Sequence, residues 1–252
     1  MKPLGQSLSS YWSDLKVEMV VPRRLGRDFY RTYGIKPFPG ARSRRRLVNR
    51  AVQDCGIPKR SPIALSLNEV LYNFARAAKP DVIVETGVHY GTSSAYWLMA
   101  LEANQKGTLY SIDLPCLNPE GQVNADGVQD LSSVKEPEET GVVVKRMGLT
   151  SRWKLFLGDA KVLLPGLLAK LGHVGFFFHD SDHSYEHQLW EYRTAWPFLA
   201  AGGWLMSDDT DWTPAFAEFS RESGQLPKRW LNRLGVVQKG TPTPSLRVLL
   251  GS

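Results

Sequence analysis

A doubly wound, mostly parallel α/β sheet of seven strands is the fold class the sequence predicts. Three observations carry it. From residue 81 onward, short runs rich in Val, Ile, Leu and Phe alternate with segments of helical length and period, the pattern of βαβ units. Glycines follow the first run, in 85-ETGVHYGTSS-94, and acids end several others, at the strand ends where open parallel sheets bind ligands. The last two runs, 234-LGVVQ-238 and 246-LRVLL-250, flank a Gly/Pro/Thr turn and read as an antiparallel hairpin at the sheet edge.

In chain order, residues 1–60 read as an irregular or helical extension broken at Pro22, Gly34, Pro37, Pro39-Gly40, Gly56 and Pro58. Ser66-Leu67-Asn68-Glu69 is a capping box, and Leu67, Val70, Leu71, Phe74 and Ala78 fall on one face of the helix it opens. Strand 81-DVIVET-86, helix 92-TSSAYWLMALEAN-104 and strand 108-TLYSID-113 follow. The polar stretch 114–150 exceeds an ordinary connection, and such loops are lids, binding loops or disordered segments. Beyond it come strand 154-KLFLG-158, helix 160–171, strand 174-VGFFF-178 and a helix over 184–199. A turn at Gly202-Gly203 then leads into strand 204-WLMS-207.

A chain of 252 residues with 42% hydrophobic and 22% charged content can bury a full core without staples. Cys55 and Cys116 have no framework or metal-site spacing, which points to a reducing compartment. Ser13, Asp14, Lys16 and Glu18 interrupt any signal-like apolar stretch, and no run reaches the roughly 18 apolar residues of a membrane helix. A cytoplasmic protein with no membrane partner is expected. Residues 1–60 carry 14 Lys+Arg against 4 Asp+Glu, and the remainder is net negative. The basic run 42-RSRRR-46 reads as a solvated face or an arm against a partner subunit. Nucleic acid is the less favoured reading, since no recognition module accompanies the run.

The glycine loop limits the ligand. Gly87 and Gly91 let the backbone turn and approach a ligand, and the helix that follows offers its N-terminal N–H groups. Asp113 ends the next strand, where a carboxylate can accept both hydroxyls of a ribose. The loop is G-x-x-x-G, however, with Glu85 two residues before the first glycine. That acid would repel a pyrophosphate and tolerate a cationic methionine moiety, which favours S-adenosylmethionine over NAD.

The stretch 176-FFFHDSDHSYEH-187 admits three readings. Asp182 or Ser184 could simply cap the next helix. The piece 183-HSYEH-187 matches the zinc-hydrolase pattern H-x-x-E-H, but His179 then lies before the helix and the adenosine-site features have no place. The third reading is a hard-cation site. Asp180 ends one strand and Asp208-Asp209 end the next, so three carboxylates converge on one octahedral ion, and oxygen ligands suit Mg²⁺. Like-charged acids brought together without a cation would repel one another.

The series E-T-G-x-x-x-G-T-S-S, S-I-D, G-D-A, H-D-S-D-H-S-Y-E and S-D-D, in order from about Leu65 to Phe219, resembles class I S-adenosylmethionine-dependent methyltransferases. Within them it is closest to metal-dependent O-methyltransferases that include macrolide sugar methyltransferases and cephalosporin hydroxylase-like proteins. Residues 1–60 and 114–150 lie outside the resemblance. The resemblance implies a Rossmann-like catalytic domain over 61–252. It places Glu85, Gly87 and Gly91 at the methionine end of the cofactor, Asp113 at the ribose and Asp159 at the adenine amino group, with Thr86 and Ser93 also in the cofactor site. It also implies Asp180, Asp208 and Asp209 as metal ligands, and His183 as general base with Asp180 in the catalytic pair. Position 208 is often Glu in those proteins, and His89 and Tyr90 are unusual in the loop.

The expectation is an S-adenosylmethionine-dependent, Mg²⁺-dependent O-methyltransferase acting on a small hydroxylated acceptor, a sugar or a natural product. The rivals are a hydroxylase-like or metal-independent enzyme, and an adenosine-binding protein whose basic arm grips RNA. Trp204, Trp212 and Phe216 serve equally as core or pocket wall.

Overall fold

Seven strands form one sheet in the order β5-β2-β1-β6-β7-β9-β8 in the computed structural model, which describes residues 29–57, 62–115, 122–123, 129–130, 136–225, 228–230 and 233–240. These strands are β1 (Val82–Thr86), β2 (Thr108–Asp113), β5 (Trp153–Leu157), β6 (Val174–His179), β7 (Leu199–Ser207), β8 (Lys228–Trp230) and β9 (Leu234–Gln238). β3 (Gln122–Val123) and β4 (Gln129–Asp130) pair separately. The first five strands in the sheet order run parallel, and β9 and β8 run antiparallel to their neighbours. Strand order reverses between β1 and β6, which opens the crevice where such sheets bind ligands.

The triple phenylalanine is explained by the sheet's two covered faces. Phe176 and Phe178 join Ile83, Leu109 and Met206 on one face, under α2 (Pro62–Ala78) and α3 (Thr92–Asn104). Phe177 joins Val84, Ile112 and Leu205 on the other, under α5 (Ala160–Leu171), α6 (Tyr185–Ala195) and α7 (Ala215–Glu222). Alternate side chains point to opposite faces, so a strand buried on both sides reads as a continuous apolar run.

Residues 29–57 pack into the first of these cores. Phe29, Tyr30 and Tyr33 cluster with Phe74, Trp204 and Trp230, with ring centroids between 5.0 and 6.4 Å apart, a spacing at which aromatic pairs attract. Helix α1 (Ala41–Asp54) buries Arg44 rather than exposing it. The Arg44 guanidinium pairs with Glu69, donates to the Pro39 carbonyl at 2.7 Å and lies 3.7 Å over the Tyr72 ring. Arg42, Arg45 and Arg46 are exposed. The basic run therefore divides into one packing residue and a solvated face.

Four boundaries differ from the sequence reading. Helix α2 starts at Pro62, so Ser66 lies inside it rather than at its start; proline is favoured in a first turn. Helix α6 stops at Ala195, and a 3₁₀ turn over Trp196–Phe198 carries Pro197, a residue that cannot continue an α-helix. Gly202-Gly203 is no turn. Both residues lie inside β7, which pairs with β6 across a register shift between Val174 and Phe176. The antiparallel hairpin is β8–β9, with β9 between β7 and β8; the run 246–250 lies outside the described residues. Within 114–150, the short helix α4 (Val142–Arg146) packs on α1 and α3.

The strand ends are stapled in sequence. The Gly158 N–H donates to the Asp113 carbonyl, Gly87 to Ile112, Asp180 to Thr86 and Asp208 to His179, all at 2.8–2.9 Å. Each loop thus starts in register with its neighbour. Among the described residues, no helix is long and apolar enough to cross a membrane.

Phe74 is fully buried where the N-terminal aromatics meet the sheet. Phe74→Ala is expected to cost about 3–5 kcal/mol of unfolding free energy, read from the midpoint and slope of a urea titration.

Candidate active site at the strand ends

The loop after β1 crosses the switch point with no space to spare. Gly87 has φ 83°, and a Cβ there would stand 1.9 Å from the Asp180 carbonyl oxygen. Only glycine meets both conditions. Gly91 (φ 84°) starts α3 with no side-chain cap, and the N–H groups of Gly141 and Val143 bond back to the carbonyls of His89 and Tyr90. The loop is held on both flanks.

Glu85 is fully buried beneath this loop. Its Oε1 accepts from Ser94 at 2.5 Å and Ser111 at 2.6 Å, and Trp153 Nε1 donates to Ser111 Oγ. Its Oε2 is buried with no hydrogen-bond partner. Burial pushes the Glu85 carboxyl up to about 7 against the two serine bonds, with Asp113 adding a smaller upward push. An orphaned buried oxygen beside a tight glycine turn suits a cationic ligand group. Asp113 Oδ1 accepts from the Val88 N–H at 2.8 Å and the His89 N–H at 3.4 Å, so this acid also shapes the loop. Its Oδ2 accepts from Thr140 Oγ1 at 3.4 Å. Burial raises the Asp113 carboxyl and these bonds oppose the rise.

The other residues expected around the cofactor have different surroundings. The Thr86 side chain faces the opposite side of the sheet and donates to Glu191. Ser93 is buried in the first turn of α3. Asp159 is exposed and caps α5, its Oδ1 accepting from the Lys161 N–H at 2.8 Å.

Glu191 went unnoticed in the sequence. It is fully buried on α6 and accepts four bonds. Ser181 Oγ and His187 Nε2 reach Oε1, both at 2.9 Å. Thr86 Oγ1 and His179 Nδ1 reach Oε2, the latter at 2.7 Å. Burial opposes its charge, yet His179 and His187 hold its carboxyl below the usual carboxylate range. Burial likewise disfavours a charged His187, but the bond to Glu191 outweighs it and raises that imidazole. The only advance signal was spacing, with Glu191 four residues after His187 on one helix.

The acids and His183 meet above this layer. His183 Nε2 lies 3.3 Å from Asp209 Oδ2 and 4.0 Å from Asp180 Oδ1. Burial, then the nearby His179, push His183 down to about 4, so the ring is neutral at pH 7. Burial and then Asp208 push Asp209 up to about 7, and Asp209 sits in a left-handed turn at φ 49°. Asp208 is turned elsewhere, accepting from Arg233 Nε at 3.0 Å and Nη2 at 3.3 Å. Arg233 Nε also stands 2.8 Å from Asp209 Oδ1. Its single hydrogen is aimed at Asp208, which leaves Asp209 Oδ1 buried without a hydrogen bond. Among the described residues, no group of three His, Cys, Asp or Glu side chains is arranged to hold a metal ion. Trp204 and Phe216 are core, whereas Trp212 is 63% exposed, its ring 5.3 Å from that of His183.

A methyltransferase-domain family model, Methyltransf_24, matches residues 84–210, from inside β1 to just past Asp209. The chain belongs to this methyltransferase family. A comparison with curated protein sequences finds no match. Among solved structures, the Methyltransf_24 chain is similar to the SAH-bound methyltransferase PaMTH1 of Podospora anserina, with 14% identity, TM-score 0.57 and coverage of 96% of this chain and 100% of that one. It is similar to the O-methyltransferase NovP, with 18% identity, TM-score 0.58 and coverage of 73% and 84%. The calicheamicin methyltransferase CalS11 follows, with 16% identity, TM-score 0.55 and coverage of 82% and 95%. At these identities the likeness concerns the fold, and the family match makes this Methyltransf_24 protein an enzyme that transfers methyl groups.

Replacing Glu191 by Ala leaves two histidines and two hydroxyls without their common acceptor. The loss is expected to cost about 3–5 kcal/mol, measured by chemical denaturation. A cost under 1 kcal/mol would show that the four donors find other partners.

Proposed function

We propose that this methyltransferase uses S-adenosylmethionine to methylate a hydroxyl of a small, ring-bearing acceptor, a sugar or a natural product. One observation carries the reading. A neutral, half-buried His183 is held between two acids, at strand ends adjoining those of the glycine loop, with an exposed tryptophan beside it. Neighbours named as O-methyltransferases, including NovP and the Bacillus cereus enzyme in complex with SAH, agree with it.

On the cofactor side, Glu85 Oε2 and the Gly87 turn fit the cationic methionine end, and Asp113 Oδ2 is the oxygen best placed for a ribose hydroxyl. On the acceptor side, Trp212 offers an exposed ring face, and its main-chain N–H donates to the Asp209 carbonyl at 3.1 Å, which ties its backbone to the Asp209 turn. His183 takes the hydroxyl proton on Nε2, and Asp209 Oδ2 stabilises the imidazolium that forms. Transfer is an in-line displacement, so the acceptor oxygen must stand about 3–3.5 Å from the methyl carbon.

One magnesium ion completes the proposal, with Asp180 and Asp209 as its protein ligands. Mg²⁺ is commonly held by one or two carboxylates, and the orphaned Asp209 Oδ1 fits that role. When bound, the ion would acidify the acceptor hydroxyl and fix its direction.

His183→Ala is expected to bind S-adenosylhomocysteine as wild type does, while losing about 10²–10⁴-fold in methyl transfer. Labelled S-adenosylmethionine with a panel of hydroxylated sugars and phenols supplies the rate, and calorimetry supplies the affinity. Methyl transfer undiminished in this variant would remove the base assignment. An absence of S-adenosylhomocysteine binding in wild type would remove the cofactor.

A further inference from the structure

Three acids gathered at neighbouring strand ends call for positive charge, and the chain supplies one itself. Arg233 sits on the turn between β8 and β9. Its main-chain carbonyl accepts from both the N–H and the Oγ1 of Thr210, at 2.9 and 2.8 Å, so its backbone is pinned to the loop just past Asp209. The side chain folds back over that loop and grips both oxygens of Asp208. A planar guanidinium matches a carboxylate in this two-pronged way, and it stays charged at any working pH.

The match covers one acid of the pair. Asp208 has hydrogen bonds to both oxygens, whereas Asp209 Oδ1 has proximity to the charge but no bond, although its side chain is 7% exposed. The Arg233 side chain is 38% exposed, which leaves it a path to solvent.

We propose that Arg233 is the resident cation of the acid cluster, and that a divalent ion reaches Asp209 only in competition with it. An ion bridging Asp180 and Asp209 would face a guanidinium against the same Asp209 oxygen, and like charges that close repel. Arg233 also keeps Asp208 out of any ligand set. Displacing Arg233 would return Asp208 to the ion as a third carboxylate and would shift the β8–β9 turn that carries it. The inference rests on the magnesium reading above and adds that metal binding in this chain is weakened by its own arginine.

The test is a Mn²⁺ titration of the full chain by electron paramagnetic resonance, with wild type, Asp209→Asn, Arg233→Met and Arg233→Lys. Competition predicts that Arg233→Met binds Mn²⁺ at least tenfold more tightly than wild type. Arg233→Lys keeps the charge but loses the fork, and is expected to bind at least threefold more tightly; it decides the matter if the methionine variant fails to fold. Binding in wild type that Asp209→Asn abolishes, together with equal or weaker binding in both Arg233 variants, overturns competition and leaves the magnesium reading standing. Binding in Arg233→Met but not in wild type supports competition and removes the metal from the wild-type enzyme. Mn²⁺ binding in neither overturns both.

Discussion

The buried carboxylate of Glu191 is the constraint on which the strand ends around His183, the proposed acceptor side, depend. It sits on α6, yet its four donors come from the end of β1, the end of β6, the loop after β6 and the first turn of α6 itself. An ionised group taken out of water is expensive unless its lone pairs are filled. Here all four donors converge on one point, so the two strands at the switch point and the helix covering them cannot slide independently. Asp180, the neighbour of His179, and His183, four residues further on, are positioned from this anchor.

Charge is distributed unevenly along the strand ends, in keeping with the proposed division between cofactor and acceptor. Under the glycine loop, Glu85 has one oxygen bonded and one bare, suited to a ligand that brings its own positive charge. Above the Glu191 layer, three acids share one arginine and a neutral histidine. Burial drives Asp209 and His183 toward their uncharged forms. That bias suits a step in which a proton leaves a neutral hydroxyl and positive charge arrives with the cofactor.

Much of this was legible in the residues. The runs from which the glycines and acids extend became the central parallel strands, so these residues gather at one edge of the sheet, where open parallel sheets bind ligands. Four kinds of feature were not legible, each for its own reason. Glu191 looked like any helical glutamate, since burial depends on which elements pack over it. Arg233 reaches Asp208 across 25 residues of chain, beyond any local pattern. β8 is three residues long, with two of them basic and exposed, too short for periodicity to register. Gly202-Gly203 carried the signature of a turn, but inside β7 the same backbone freedom serves a register shift. The early end of α6 was in view all along. Pro197 has no N–H to donate back to Arg193, so the α-helical ladder cannot continue through it.

The proposed site is divided, with the cofactor at the ends of β1 and β2 and the acceptor and cation at the ends of β6 and β7. A crystal structure of the protein with S-adenosylmethionine and Mn²⁺, phased on the manganese anomalous signal, tests it most directly. The account predicts the methionine end against Glu85 and Gly87, the transferable methyl directed toward His183, and an anomalous peak between Asp180 and Asp209. A cofactor bound away from the Gly87 loop, or a methyl directed away from His183, would contradict it.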